Sequence, residues 1–364
     1  MRVKIKELGN IITGNTPSKK NLEFWDSKDI CFIKPDIIAD EGITAIDKSN
    51  EYISEVARSK ARVVGKDTIF VTCIGSIGKI GIAEEGEYAF NQQINAVVPN
   101  SIINARYLAY AILYSKPQLI AIANSAVVPI INKSQFGDFE INIVEDIKQQ
   151  EEIVNILDRT KGIVESYQQE LLKLDELIKA RFVEMFGTIY DNKYGFEIKT
   201  IQDVCEQIKD GTHQTPTYTD DTKNGFKFLS SKDVTTGKID WSKIKYIPAD
   251  LHEELYKRIK PQKGDILLAK NGTTGVAAIV ETDEVFDIYV SLALLRPIEM
   301  NSVYLWAAVN SVETKRQFDG NLKGIGVPNL HLGEIKKTQI LVPPTELQEQ
   351  FADFVKQVDK SKFR

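Results

Sequence analysis

The chain is short of the residues that carry most catalytic chemistry. It has three cysteines, Cys31, Cys73 and Cys205, widely separated and with no Cys-x-x-Cys pair. That pattern excludes a disulfide frame and a zinc site, and it fits reduced thiols in a cytosol. The three histidines, His213, His252 and His331, do not lie at metal-ligand spacing, so no metal is expected. No run of about 18 apolar residues exists, so no membrane-spanning helix is expected. The opening Met1-Arg2-Val3-Lys4-Ile5-Lys6 lacks the apolar stretch of a signal peptide.

A surplus of positive charge is also missing. Net charge is −5. Residues 1–145 hold 16 basic and 17 acidic side chains, 146–190 hold 6 and 9, 191–344 hold 20 and 21, and 345–364 hold 4 and 4. No segment is basic enough to be a general polyanion binder, so any nucleic-acid contact must come from local patches or be shared with a partner. Catalytic motifs are absent as well. Gly75-Ser76-Ile77-Gly78-Lys79 lacks the spacing of a phosphate loop, and Ile80 stands where the metal-binding hydroxyl belongs. No serine or cysteine has a nucleophile motif around it. No glycine-rich loop opens a βαβ unit and no Asn-Pro-Pro-aromatic motif occurs, which leaves methyl transfer unsupported.

What is present is a long amphipathic stretch from Asp146 to Gly187. Ile153, Leu157, Thr160, Val164, Tyr167, Leu171, Leu174, Ile178, Arg181 and Met185 step by four and three in turn, and only Thr160 and Arg181 break the apolar row. This is the narrow seam of a coiled coil. At ~1.5 Å per residue the helix spans roughly 60 Å. Asp146 is placed to cap it, with Gln149 at the capping-box position, and Gly187 to stop it. Gly162 weakens it without breaking it. A second, shorter helix over 345–364 carries Leu347, Phe351, Phe354 and Val358 on one face, with Thr345 and Gln348 as its expected capping box.

The chain also repeats itself. Asp67 in Gly65-Lys66-Asp67 and Asp265 in Gly264-Asp265 stand 198 apart. Gly75-x-x-Gly78 recurs as Gly272-x-x-Gly275, Gly14-Asn15-Thr16-Pro17 as Gly211-Thr212-His213-Gln214-Thr215-Pro216, Asp36 as Asp233, and Val128-Pro129 as Val327-Pro328. Offsets of 197 to 199 in one order indicate an internal duplication. Each copy reads as an α+β globule. Strands are expected at Lys66–Val71 and Gly78–Ala83, and at Asp265–Ala269 and Gly275–Val280. Single helices are expected at Ala105–Leu119 and Val303–Phe318, and closing strands near Glu140–Val144 and Gln339–Pro343.

These residues resemble the specificity (S) subunit of type I restriction–modification systems. The carriers are Gly14-Asn15-Thr16-Pro17 with Trp25 and Pro35-Asp36-Ile37, then Asp67, Gly75-Ser76-Ile77-Gly78 and Val128-Pro129, and Gln150-x-x-Ile153-x-x-Ile156-Leu157-Asp158. Their second copies include Asn271-Gly272-Thr273-Thr274-Gly275, Val327-Pro328-Asn329-Leu330 and Val342-Pro343-Pro344-x-x-Leu347-x-x-Gln350. The resemblance covers nearly the whole chain. It implies an α+β fold with two target-recognition domains, 1–145 and 191–344, each reading half of a split double-stranded DNA site. It also implies two helices, 146–190 and 345–364, packed antiparallel as a spacer. It further implies a non-catalytic subunit in a prokaryotic cytoplasm. Its partners would be methyltransferase (M) and translocase–nuclease (R) subunits, which would hold the S-adenosylmethionine, ATP and Mg while this chain binds no cofactor.

Polar loop residues are the candidate DNA contacts, because base edges are read by amide, hydroxyl and cationic groups. They are Lys19, Lys20, Lys34, Lys79, Gln92, Gln93 and Lys133 in the first copy. In the second they are His213, Gln214, Lys232, Lys270, Asn271, Thr273, Lys323 and Asn329. Two other readings use the same features: a scaffold that holds two protein partners and never meets DNA, and the specificity arm of another restriction–modification class.

Overall fold

The computed structural model describes residues 1–123, 128–272, 274–322 and 329–362. The chain divides into two compact units, Met1–Ser166 and Tyr167–Arg364. One helix, Ile147–Phe186, runs through the division. The unit boundary therefore falls inside the helix, whereas the sequence placed the helix between the globules as a segment of its own. The reason is visible in the packing: each end of the helix buries side chains in a different core.

In the first unit a five-stranded sheet has the order Gly9–Thr13, Ile94–Pro99, Ile69–Thr72, Ile80–Ala83, Ile43–Ile46. All its pairs are antiparallel except the last. Ile69–Thr72 and Ile80–Ala83 are buried throughout, as strands covered on both faces must be. A four-stranded sheet, ordered Glu51–Ile53, Ile30–Ile33, Tyr88–Phe90, Val63–Val64, packs beside it. The chain start is tied to the chain that enters the long helix, with Val3 opposite Ile141. Val154 and, in part, Ile153 pack from the long helix into this core. Fully burying side chains of this size stabilises by about 1.5–3 kcal/mol each.

The second unit repeats the plan. Its four-stranded antiparallel sheet runs Cys205–Asp210, Leu292–Pro297, Ile266–Ala269, Ala277–Ile279. A three-stranded sheet runs Lys245–Ile247, Phe226–Leu229, Phe286–Ile288, and Glu197–Thr200 pairs with Gln339–Val342. Phe286–Ile288 is parallel to Phe226–Leu229, as Tyr88–Phe90 is to Ile30–Ile33. The α+β class and the duplication therefore hold at the level of strand pairing.

Two expected helices are each broken in two. Ala105–Tyr114 ends at Ser115, and a new helix spans Lys116–Ala121. Pro117 has no N–H to give the preceding turn and disfavours helical backbone before it. In the second unit Ser302–Val309 stops at Asn310, and Ser311 caps Val312–Asp319 by accepting from the Thr314 N–H.

The long helix is continuous through Gly162 and stops at Gly187, whose φ is +71. Its start departs from the sequence reading. Asp146 Oδ1 accepts from the Lys148 N–H at 2.9 Å, but the glutamine that matters is Gln150. Gln150 is buried, accepts from the Asn104 N–H at 2.8 Å and donates to the Val144 carbonyl at 2.8 Å. Gln348 does the same in the second unit, accepting from Asn301 N–H at 2.9 Å and donating to the Pro343 carbonyl at 2.8 Å. The helix Thr345–Ser361 has Pro344 at its cap position and no side-chain cap, so Thr345 does not cap it.

The seam is only partly covered. Ile178, Phe351 and Val358 are buried, and Leu174, Met185, Leu347 and Phe354 are half-buried against the second core. Leu157, Val164, Tyr167 and Leu171 are exposed. Phe182 and Phe186, off the seam, are buried, because near its end the helix packs on a globule with a wider apolar stripe. Within the second unit the two helices are antiparallel. Lys362 Nζ lies 2.7 Å from Asp175, Arg181 stands over the Phe354 ring, and Phe186 meets Phe351 edge-on at 5.6 Å. Among the described residues the second helix, of 17 residues, and Lys362 after it reach back to Asp175.

Candidate nucleic-acid interface

In each unit four loops converge at one end of the main sheet. In the first, the turn after Gly9–Thr13 is held by Gly14 N–H to Ile94 O (3.0 Å) and Asn15 N–H to Phe90 O (2.9 Å). Gly14 has to be glycine, since a Cβ there would lie 2.1 Å from the Asn91 carbonyl oxygen. The turn 91–93 joins the turn 73–78 through Cys73 N–H to Gln93 O (2.8 Å). That turn accepts the segment before the helix Lys133–Asp138 through Ile131 N–H to Cys73 O (2.8 Å) and Gly75 N–H to Pro129 O (3.0 Å).

The second unit makes the same bonds. Gly211 N–H donates to Leu292 O (3.2 Å), Thr212 N–H to Ile288 O (3.0 Å), Lys270 N–H to Ser291 O (2.8 Å) and Leu330 N–H to Lys270 O (2.9 Å). A Cβ on Gly211 would stand 2.0 Å from the Ile288 carbonyl oxygen. Asn271 and Asn329 form a β-bridge equivalent to that of Ile74 and Ile130. These close approaches explain why the Gly14 and Gly211 motifs recur.

The loops gather some of the sequence-predicted contacts. In the first unit they bring together exposed Gln92, half-buried Gln93 and exposed Lys133. Thr16 Oγ1 donates to Gln92 Oε1 at 2.9 Å, and Gln93 Oε1 accepts from Asn91 Nδ2 at 2.9 Å. In the second they bring together exposed His213 and Gln214 and half-buried Asn271 and Asn329. Exposed Lys232 joins them, since neighbouring Ser231 donates its N–H to Ser291 Oγ at 3.0 Å. Thr273 and Lys323 lie outside the described residues, as do Val327 and Pro328.

Others are placed differently. Lys19 and Lys34 both pair with Glu51, and Lys19 Nζ stands 5.1 Å from the Trp25 ring centre. The Lys34 bond holds the Glu51 carboxyl below its usual range and raises Lys34. Together with Lys28 and Tyr52, Lys19 and Trp25 line an open cavity of about 480 Å³, and Lys20 is exposed nearby in sequence. Lys79 is half-buried, its Nζ 2.9 Å from Asp40. Its charge is used inside the unit.

Lys270 is a correction. It is a buried side chain, not a surface contact, and its Nζ lies 3.1 Å from Asp210 Oδ2. Asp210 also receives Arg258 Nη2 at 3.2 Å and His213 Nε2 at 3.2 Å. Burial opposes ionisation of Asp210, but Lys270 and then His213 outweigh it and hold the carboxyl below its ordinary value. The equivalent positions in the first unit are Thr13, which donates to Asn95 Oδ1 at 2.6 Å, and buried Cys73. Sequence reasoning missed Asp210 and Arg258. One is a strand-end acid and the other lies 48 residues away, and no local pattern joins them.

Burial pushes the Cys73 and Cys205 thiols up to about 12, so neither supplies a thiolate. His252 is enclosed, its Nδ1 2.6 Å from buried Asp287 and its ring stacked 3.6 Å from Phe226. Among the described residues no cluster of histidine, cysteine and acidic side chains could hold a metal ion. None of the helices among those residues is long and apolar enough to cross a membrane.

Known proteins share this organisation. The type I restriction modification DNA specificity domain matches residues 1–175 and again 193–364. The MjaIX specificity subunit of Methanocaldococcus jannaschii is 24% identical over 378 residues, covering 97% of this chain and 85% of that protein. The EcoR124I/EcoR124II specificity subunit of Escherichia coli is 29% identical over 184 residues, covering 48% of this chain and 44% of that protein. The S subunit of a type I restriction–modification system from M. genitalium superposes with a TM-score of 0.54 at 14% identity, over 100% of this chain and 90% of the other. Two matches of one domain, laid over two units that repeat the same strand pairing and the same loop bonds, settle the family: this chain belongs to the type I restriction–modification DNA specificity family.

Proposed function

We propose that this chain is the specificity subunit of a type I restriction–modification complex and recognises a bipartite double-stranded DNA site, one half per unit. The observation that carries this reading is the recurrence of the four-loop surface. The backbone bonds are the same in both units, while the side chains they present differ: Thr16, Gln92 and Lys133 in one, His213, Gln214 and Asn271 in the other. A shared frame with different polar side chains suits two related ligands of different sequence. Base edges are read by a few such groups, while phosphate contacts supply most of the non-specific affinity.

The near-neutral charge of both halves supports a shared task, in which partners provide much of the backbone affinity. Methyltransferase and restriction subunits are those partners, and S-adenosylmethionine, ATP and Mg belong to them. The chain acts as a non-catalytic subunit in the cytoplasm. Binding to a cognate and a scrambled bipartite site, with methyltransferase subunits present and at matched salt, tests the function. Selective binding to the cognate site is expected. Equal affinity would favour the scaffold that holds protein partners only.

A further inference from the structure

We infer that His213 reads a base edge as a hydrogen-bond acceptor through its Nδ1, and that Asp210 sets this tautomer. The inference rests on the DNA-reading function proposed above and names one specificity determinant within it. Asp210 ends the strand Cys205–Asp210, and its side chain is 11% exposed. Lys270 Nζ at 3.1 Å and Arg258 Nη2 at 3.2 Å bind its two oxygens from opposite partners and keep it ionised. A carboxylate has no proton to give. Its 3.2 Å contact with His213 Nε2 therefore requires the proton to sit on Nε2. While the ring is neutral Nδ1 is then bare and can only accept; in the imidazolium both nitrogens donate and the reading is lost.

The His213 side chain is 66% exposed, so the bare nitrogen belongs to a ring open to a ligand. In the major groove an acceptor is satisfied by the N6 amine of adenine or the N4 amine of cytosine. Each base pair carries one of these amines, on one strand or the other. His213 therefore separates amino bases (A or C) from keto bases (G or T) on one strand at one position. The first unit lacks the device. Thr13 and Cys73 replace Asp210 and Lys270, and Thr16, in the corresponding turn, donates to Gln92.

The test uses the full chain with methyltransferase subunits and a DNA library randomised across both half-sites, at matched salt. The wild type is expected to prefer A or C at one position of one half-site. His213→Ala should lower that preference roughly five- to tenfold and leave the other half-site unchanged. His213→Arg, which can only donate, should move the preference to guanine. In the free full chain, imidazole ¹⁵N shifts should place the His213 proton on Nε2. A proton on Nδ1, or a His213→Ala profile identical to wild type, overturns the inference and leaves the DNA-reading function standing. A wild-type complex with no base preference anywhere overturns both.

Discussion

The Asn104 N–H donates to Gln150 Oε1 at 2.8 Å, and the Asn301 N–H donates to Gln348 Oε1 at 2.9 Å. Each glutamine also donates to a carbonyl just before its own helix, so one buried amide ties a helix start to the loop preceding another helix. The tyrosines one turn on take part too. Tyr107 Oη accepts from Val144 N–H, and Tyr304 Oη donates to Leu341 O. Gln150→Ala or Gln348→Ala leaves an N–H and a carbonyl, at least partly buried, without these partners. Each should destabilise by about 1–3 kcal/mol, read as a lower urea midpoint with an unchanged slope.

His252 and Asp287 form a buried pair, and the first unit has Ala89 in place of the acid. Ala89 faces Phe32 as Asp287 faces Phe228, and Ala57 lies in the same apolar cluster as Ala89. Asp287→Ala alone should cost about 3–5 kcal/mol. Adding His252→Ala should cost much less than a second independent loss, because the remaining partner is no longer stranded. A double-mutant cycle by denaturant unfolding measures this coupling, and additive losses would contradict it.

The two buried acids of the second unit give opposite pH dependences. Burial raises the Asp287 carboxyl despite His252, so its share of stability is full below its unfolded pKa and is lost as pH rises through the folded one. Asp210 is held low, so its share is present above its unfolded pKa and is lost as pH falls through the folded one. Unfolding measured from neutral to acid pH should show a shallower acid loss in Asp210→Asn than in the wild type. Asp287→Asn should instead flatten the dependence on the side where pH rises.

The uneven seam predicts uneven tolerance. Leu171 is 40% exposed and Ile178 is 4% exposed. Leu171→Lys should change the stability of the isolated chain by no more than about 0.5 kcal/mol. Ile178→Lys buries an unpaired charge in the second core and should cost more than about 3 kcal/mol. Thermal unfolding of the two variants separates a seam covered along its length from one covered only at its ends.

Gly162 sits in mid-helix with open space where a Cβ would stand. Gly162→Ala should stabilise the first unit by about 1 kcal/mol through the lost flexibility of the unfolded chain. An unchanged denaturation midpoint would show that this turn is not ordered in the folded protein.

The amino-acid sequence by itself determined the duplication, the α+β class and the long helix. Each rests on short-range signals: glycines where the backbone approaches another strand, as at Gly14 and Gly211, apolar residues at helical spacing, and turn residues at matching offsets. The tertiary structure decided which polar side chains are free to act. Lys270 and His213 look alike in a string of loop residues, yet Asp210, 60 residues from Lys270, buries one and orients the other. Gln149 and Gln150 are adjacent and chemically identical, and only helix phase against Asn104 selects Gln150 for the interior. Burial and ion pairing depend on neighbours brought from far along the chain, and local periodicity carries no record of them.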